Sequence, residues 1–239
     1  MRPLLHTCLC FVVLFNTACG TQQSRQVVTQ PVEPSVSQHL NKGYEYISAG
    51  SAKKAARELE AALAICDQKY AAAENAVYSA RSSTEALAYL VIAAAKDESA
   101  EVDNTDCSDS LYLMGYVSLD FGQIDEAEAY LKRAVKMAPS NAMYLSELGH
   151  VYHLRRDWDT ALKIFTQAEE AAKGFSPEAV KTNEQLRAKR GVGYTLIELG
   201  ELDKAEAKFN ECLAIDKNDA GSIRELKYIQ SIRRNPKKL

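Results

Sequence analysis

The sequence predicts an all-α array of stacked antiparallel helix pairs. Three observations carry that expectation. Alanine occurs 34 times in 239 residues, and it is the strongest helix former. Glycine (11) and proline (6) are scarce, both below their usual shares of roughly 7% and 5%. A set of small and large residues also recurs at fixed offsets through the chain, the signature of a repeat architecture. With 46% hydrophobic and 26% charged residues and a net charge of −3, composition argues against disorder. It also argues against a polyanion binder, so no nucleic-acid partner is expected.

Residues 1–18 read as a signal peptide. Arg2 precedes a short apolar run from Leu9 to Phe15, with small residues Thr17 and Ala18 ahead of Cys19. That run is far shorter than the ~20 residues of a membrane-spanning helix. Thr17, Ala18 and Cys19 resemble a bacterial lipoprotein signal, which implies lipidation at Cys19. Gly20, in place of the aspartate that favours inner-membrane retention, implies an outer-membrane lipoprotein facing the periplasm. Asn16 stands where that family prefers leucine, and a secreted or soluble periplasmic protein is the alternative. Residues 19–35 are polar, contain two prolines, and read as a flexible tether.

The repeat follows. From Gly115, residues recur at +7 (Gly122), +12 (Ala127), +16 (Leu131), +19 (Ala134) and +24 (Pro139). Gly149, Ala161, Phe165 and Ala168 repeat the pattern, as do Gly193, Gly200, Ala205, Phe209 and Cys212. Gly43, Gly50, Ala55, Leu59 and Ala62 form a further copy. Small residues at 0, +12 and +19 let two helices approach, and a large one at +16 fills the space between them. The +7 glycine suits a left-handed helix end.

These residues resemble the 34-residue tetratricopeptide repeat family. The resemblance implies a right-handed superhelix of helix pairs, a TPR solenoid, spanning 36–219. Its copies are placed at 36–69, 70–102, 108–141, 142–175 and 186–219. The copy at 70–102 is degenerate, with Ala76, Ala88, Ile92 and Ala95 on the offsets and Ser82 with Glu85 as a capping box; the alternative continues the second helix of the first copy straight through residue 70. An acidic loop near 97–109 and the segment 174–183 interrupt the array. Residues 220–239 supply a capping helix and a basic tail, the kind of end cover such stacks need.

The same resemblance places client binding on the concave face, lined by the first helix of each pair. Tyr44, Tyr112, Tyr116, His150, His153, Arg187, Arg190 and Tyr194 are the candidate groove residues, offering stacking area and hydrogen-bond donors to an extended protein or peptide client. A carboxylate clamp known in the family does not carry over: Asn41 fits one position, but Ser37, Leu113 and Glu147 occupy others. His150 and His153 have a metal-compatible spacing but lack a third ligand, so no metal and no cofactor are expected. Once the signal is removed, Cys66, Cys107 and Cys212 remain beside Cys19. Cys212 falls on a buried small offset, whereas Cys66 and Cys107 flank the degenerate copy and form a candidate disulfide that would staple it. No phosphate loop, nucleophile elbow or CxxC pair occurs, and no enzyme activity is expected.

The functional expectation is a membrane-tethered periplasmic interaction scaffold that assists assembly of an envelope or pilus/secretin complex. The alternative is a self-associating structural envelope protein without a client peptide.

Overall fold

The computed structural model describes residues 34–235, so the signal, most of the tether, Cys19 and the last four residues lie outside it. Four antiparallel helix pairs are present: α1 (Val36–Ser48) with α2 (Ala52–Ala71), α4 (Asp106–Asp120) with α5 (Ile124–Met137), α6 (Ala142–Leu154) with α7 (Trp158–Gly174), and α8 (Glu178–Glu198) with α9 (Leu202–Ile215). Between the first two pairs lie β1 (Ala76–Ser79), α3 (Ser83–Ala95) and β2 (Ala100–Asp103), and α10 (Ala220–Arg234) ends the array. The arrangement is a tetratricopeptide-repeat helical solenoid with one α/β insertion.

The repeat offsets act as steric instructions. Ala55, Ala127, Ala161 and Ala205 at +12 are fully buried, as are Ala62, Ala134, Ala168 and Cys212 at +19. A Cβ on Gly115 would lie 2.6 Å from Leu131, and one on Gly193 would lie 2.6 Å from Phe209. Each 0-position glycine therefore exists so that the +16 side chain of its partner helix can lie on its backbone. Burying each of those large side chains contributes roughly 1.5–3 kcal/mol. The +7 residue ends the first helix with positive φ at Gly50, Gly122 and Gly200. In the α6–α7 pair that place is taken by Arg156, at φ 57°.

Helix starts are secured locally. Ser35 and Gln38 form a reciprocal capping box at α1. The Asn141 side chain accepts from the Met143 and Tyr144 amides at α6, and Asp157 accepts from the Thr160 amide at α7. At the far end Ile229 and Ile232 of α10 are buried in one cluster with Phe209 and Leu196. The last helix thereby covers the apolar face that a further repeat would have covered.

Residues 70–102 do not form the degenerate helix pair expected of them. The first helix of that copy is replaced by β1, which pairs in parallel with β2, Ala76 opposite Ala100 and Ser79 opposite Asp103. The physical reason is tertiary. Val77 and Tyr78 suit a strand, and Tyr78 is buried by stacking on Tyr89, ring centroids 5.5 Å apart. The expected second helix does form as α3. Ser82 caps it by accepting from the Glu85 amide, while the Glu85 carboxylate accepts from the Arg81 amide instead of closing a reciprocal box. The acidic 97–109 segment is likewise not a loop throughout, since it holds β2 and the start of α4. The 174–183 segment turns helical at Glu178, so α8 begins eight residues before the copy placed at 186.

Cys66 near the end of α2 and Cys107 in the first turn of α4 are joined in a disulfide, Cα atoms 5.8 Å apart and both residues buried. The insertion is thus a closed loop on the solenoid. Lys69 (2.5 Å) and Tyr70 (2.8 Å) both donate to the Asp103 carboxylate at the end of β2. Burial opposes ionisation there, but those two donors and the Asn104 amide outweigh it and hold the carboxyl below its usual range. Cys212 is a free buried thiol, its ionisation disfavoured by burial.

Candidate groove between the first helices of the third and fourth pairs

A helix shows one face every third or fourth residue. On α6 that face carries Met143, Ser146, His150 and His153; on α8 it carries Val180, Asn183, Arg187, Arg190 and Tyr194. The two faces enclose a cavity of about 660 Å³, with Phe165 of α7 at its base and Asp216 and Asp219 at one end. Five of the eight candidate residues meet here: His150, His153, Arg187, Arg190 and Tyr194. Tyr44 on α1 and Tyr116 on α4 are exposed and lie outside this cavity.

Tyr112 is not the groove residue expected. It is buried and stacks on Tyr144 with centroids 5.3 Å apart. The Tyr144 hydroxyl donates to Asp109 at 2.6 Å. This aromatic pair cements α4 to α6. Burial, with Glu147 nearby, pushes the Tyr112 hydroxyl up to about 12. The Tyr44 hydroxyl is also raised, by the protein packed around a side chain that remains 41% exposed, and then by Asp109.

His153 is likewise a packing residue. Its ring lies 4.9 Å from Phe165 and 5.7 Å from Trp158 by centroids. Its Nε2 is 2.5 Å from the Thr195 hydroxyl, which itself donates to the Gly191 carbonyl at 2.8 Å. A hydroxyl has one proton to give. His153 therefore donates from Nε2–H and is fixed in that tautomer. Burial, reinforced by His150, lowers its pKa to about 4, so it is neutral at physiological pH. Among the described residues no three His, Cys, Asp or Glu side chains converge as a metal site.

The arginines are paired across helices. Arg187 donates to Glu147, a buried carboxylate on α6. Arg190 donates to Asp219 at 2.5 Å, and Asp219 also caps α10 by accepting from the Ser222 amide. Burial opposes the charge on Asp219, but Ser222 and Arg190 outweigh it and hold the carboxyl below its usual range. The third buried acid, Glu184, accepts from Ser176 and from Arg81 of the insertion. The surface offered to a ligand is therefore a slot whose arginines are already paired, with aliphatic and aromatic walls and exposed His150, Asn183 and Asp216. Such a slot suits an extended polypeptide more than a highly charged small molecule.

Sequence reasoning missed Val180, Asn183 and Glu184, because they fall in or beside the segment read as an interruption. Pro177 followed by Glu178 is a helix-start signal that would have placed them on α8.

Tetratricopeptide repeat models match residues 112–177 and 191–219. Among solved structures, the chain is similar to PilF of Pseudomonas aeruginosa, with a TM-score of 0.59 and 14% identity over 83% of this chain and 69% of that one. It is also similar to MamA of RS-1 (TM-score 0.54, 15% identity, 84% and 86% covered). YrrB, described as a TPR protein with an unusual peptide-binding site, gives a TM-score of 0.51 at 18% identity, with 80% and 74% covered. At these identities the likeness is one of fold. No curated protein sequence matches the chain significantly.

Proposed function

We propose that this tetratricopeptide-repeat solenoid is a membrane-tethered scaffold of the bacterial envelope that holds an extended protein segment in the groove between α6 and α8. The observation that carries the reading is the slot of about 660 Å³ in which both lining arginines are already paired with carboxylates, leaving apolar walls, His150, Asn183 and the exposed Asp216 to a ligand. A rigid wall of that kind loses little order on binding, and apolar contact with a few fixed polar groups provides the affinity. The envelope address rests on the N-terminal signal pattern, with lipid at Cys19 facing the periplasm. The work is positioning: the tether confines the solenoid, and the groove presents one client to the assembly of an envelope complex of the pilus or secretin kind. The role is binding, with no chemical step.

The experiment is crosslinking and recovery from membranes with the wild-type chain and with His150→Ala/Asn183→Ala. Both residues are exposed in the slot, so the fold should survive, as far-UV circular dichroism would verify. Loss of one dominant crosslinked partner is expected. An unchanged partner list, together with concentration-dependent oligomers of the purified chain, would replace the groove reading with self-association. Membrane fractionation of Cys19→Ser tests the tether separately; a variant that still fractionates with membranes defeats lipid anchoring.

A further inference from the structure

The insertion carries a face that nothing in the solenoid covers. On α3, Glu85, Tyr89 and Ala93 point inward and are buried. The opposite side of the same helix exposes Leu87 (65%), Val91 (59%) and Leu90 (42%), continued by Ala94. These positions follow the i, i+3, i+4, i+7 spacing of one helical stripe. From Ala86 to Ala95 there is no charged residue. Isolated exposed leucines are ordinary; a contiguous uncharged stripe marks an interaction surface.

Its place in the fold selects the occupant. The Ser37 hydroxyl, in the first turn of α1, donates to Asp106 at the start of α4. Asp106 follows β2 by three residues, and β2 ends beside β1, at Asp103 opposite Ser79. Ser79 in turn lies just before Ser82, the cap of α3. The start of the solenoid, where the 33 preceding residues join it, and the start of α3 therefore share one edge. We propose that the exposed face of α3 rests on a lipid surface, so that the edge from which the tether leaves is also the edge laid against the membrane.

This inference rests on the tether reading above. α3 has 13 residues, a length of about 20 Å against a hydrocarbon core of about 30 Å. No helix among the described residues is long and apolar enough to cross a membrane, so α3 lies on the surface. Its apolar side chains enter the interface, as in monotopic helices. Lipid at Cys19 would fix location, and α3 would fix orientation, keeping the solenoid from tumbling about its tether. The Cys66–Cys107 disulfide and the Arg81 pairing with Glu184 hold the insertion to the solenoid, so orienting α3 orients the groove.

The test uses the full mature chain in phosphatidylethanolamine vesicles containing a minority of phosphatidylglycerol. Amide hydrogen exchange is read along α3, and sedimentation with the vesicles is read in parallel. Three chains are compared: wild type, Leu87→Ser/Val91→Ser and Cys19→Ser. The wild type should sediment with vesicles and show exchange over residues 87–95 slowed by about tenfold relative to solution. Leu87→Ser/Val91→Ser should still sediment yet lose that protection. A wild type that sediments with unchanged α3 exchange overturns the α3 proposal and leaves the tether intact. If Cys19→Ser sediments as fully as wild type and keeps α3 protected, the lipid anchor fails while the α3 face stands. No sedimentation by any chain defeats both. Protection that grows with protein concentration without vesicles would assign the stripe to a second copy of the chain and overturn the lipid reading.

Discussion

Replacing Arg81 by methionine removes the charge that joins the insertion to α8 and leaves most of the side-chain volume. Arg81 donates from Nη2 (2.6 Å) and Nε (3.0 Å) to one oxygen of Glu85, and from Nη1 (2.5 Å) to Glu184. Side-chain exposure is 15% for Arg81, 0% for Glu85 and 5% for Glu184. Two carboxylates out of contact with water thus share one cation across 103 positions of sequence. Removing one member of a buried ion pair costs about 3–5 kcal/mol, because the remaining charge stays buried without compensation. For a body of this size that corresponds to about 6–20 °C in Tm.

The assay is urea unfolding at neutral pH with the disulfide intact, followed by far-UV circular dichroism. Arg81→Met should lower stability by about 3–5 kcal/mol. Adding Glu85→Gln and Glu184→Gln to it should recover a large part of that loss, since the amides leave no buried charge. The exposed Arg233–Asp203 pair, 39% and 96% exposed, is the control, and its removal should cost less than about 1 kcal/mol. An Arg81→Met loss below about 1 kcal/mol, with an unchanged urea slope, would show that Glu85 and Glu184 are solvated and that the insertion does not dock on α8.

Arg156 holds the left-handed position that glycine occupies in the other pairs, so Arg156→Gly should stabilise by about 0.5–1 kcal/mol, read as a higher urea midpoint. The reverse change, Gly122→Ala at φ 73°, should destabilise by a similar amount; opposite signs would contradict the offset logic. Cys66→Ser/Cys107→Ser opens a loop with a sequence separation of 41, for which the chain-entropy model gives a loss of about 4 kcal/mol. A matching fall in wild-type stability on adding reductant checks it. His153 has a folded pKa of about 4 against an ordinary 6.5. Its contribution to stability is therefore complete above about pH 6.5 and is lost as pH falls toward 4, with a slope of at most about 1.4 kcal/mol per pH unit. That slope should disappear in His153→Gln.

The solenoid was legible because its information is local and repeated. Four copies carry the same offsets, and each offset maps to one contact that recurs, from Gly43 on Leu59 to Gly193 on Phe209. The insertion was illegible for the opposite reason. Ala76, Ala88, Ile92 and Ala95 satisfy the offsets by composition alone, because alanine is dense there. In the structure Ala95 is exposed, and Ala88 and Ile92 are only half-buried, whereas the true +12 and +19 residues are fully buried. What makes Ala76–Ser79 a strand is a partner 24 residues later and a disulfide across the whole loop, and neither is a local property. The missing +7 glycine was no guide either, since Arg156 fills that place in a genuine pair.

The same distinction governs the groove. Arginine types on the first helices could be read from sequence as donors for a client, and Arg187 and Arg190 do line the slot. Whether such donors are free depends on what stands opposite them on the neighbouring helix. Glu147 stands opposite Arg187, and Asp219 stands opposite Arg190. A client that tried to recruit either arginine would have to strip it from a buried carboxylate, at a cost of several kcal/mol. Recognition through the slot must then come mainly from its uncharged surface, which salt barely screens, since Asp216 is the one lining charge without an ion-pair partner among the described residues. Recovery of the dominant crosslinked partner should therefore change by less than about twofold between ~0.05 and ~0.5 M salt, a range over which the Debye length falls from about 14 to about 4 Å. A tenfold or larger loss would mean that charge dominates recognition, through Asp216 or through arginines that leave Glu147 and Asp219 to bind the client, and would overturn the apolar reading of the groove.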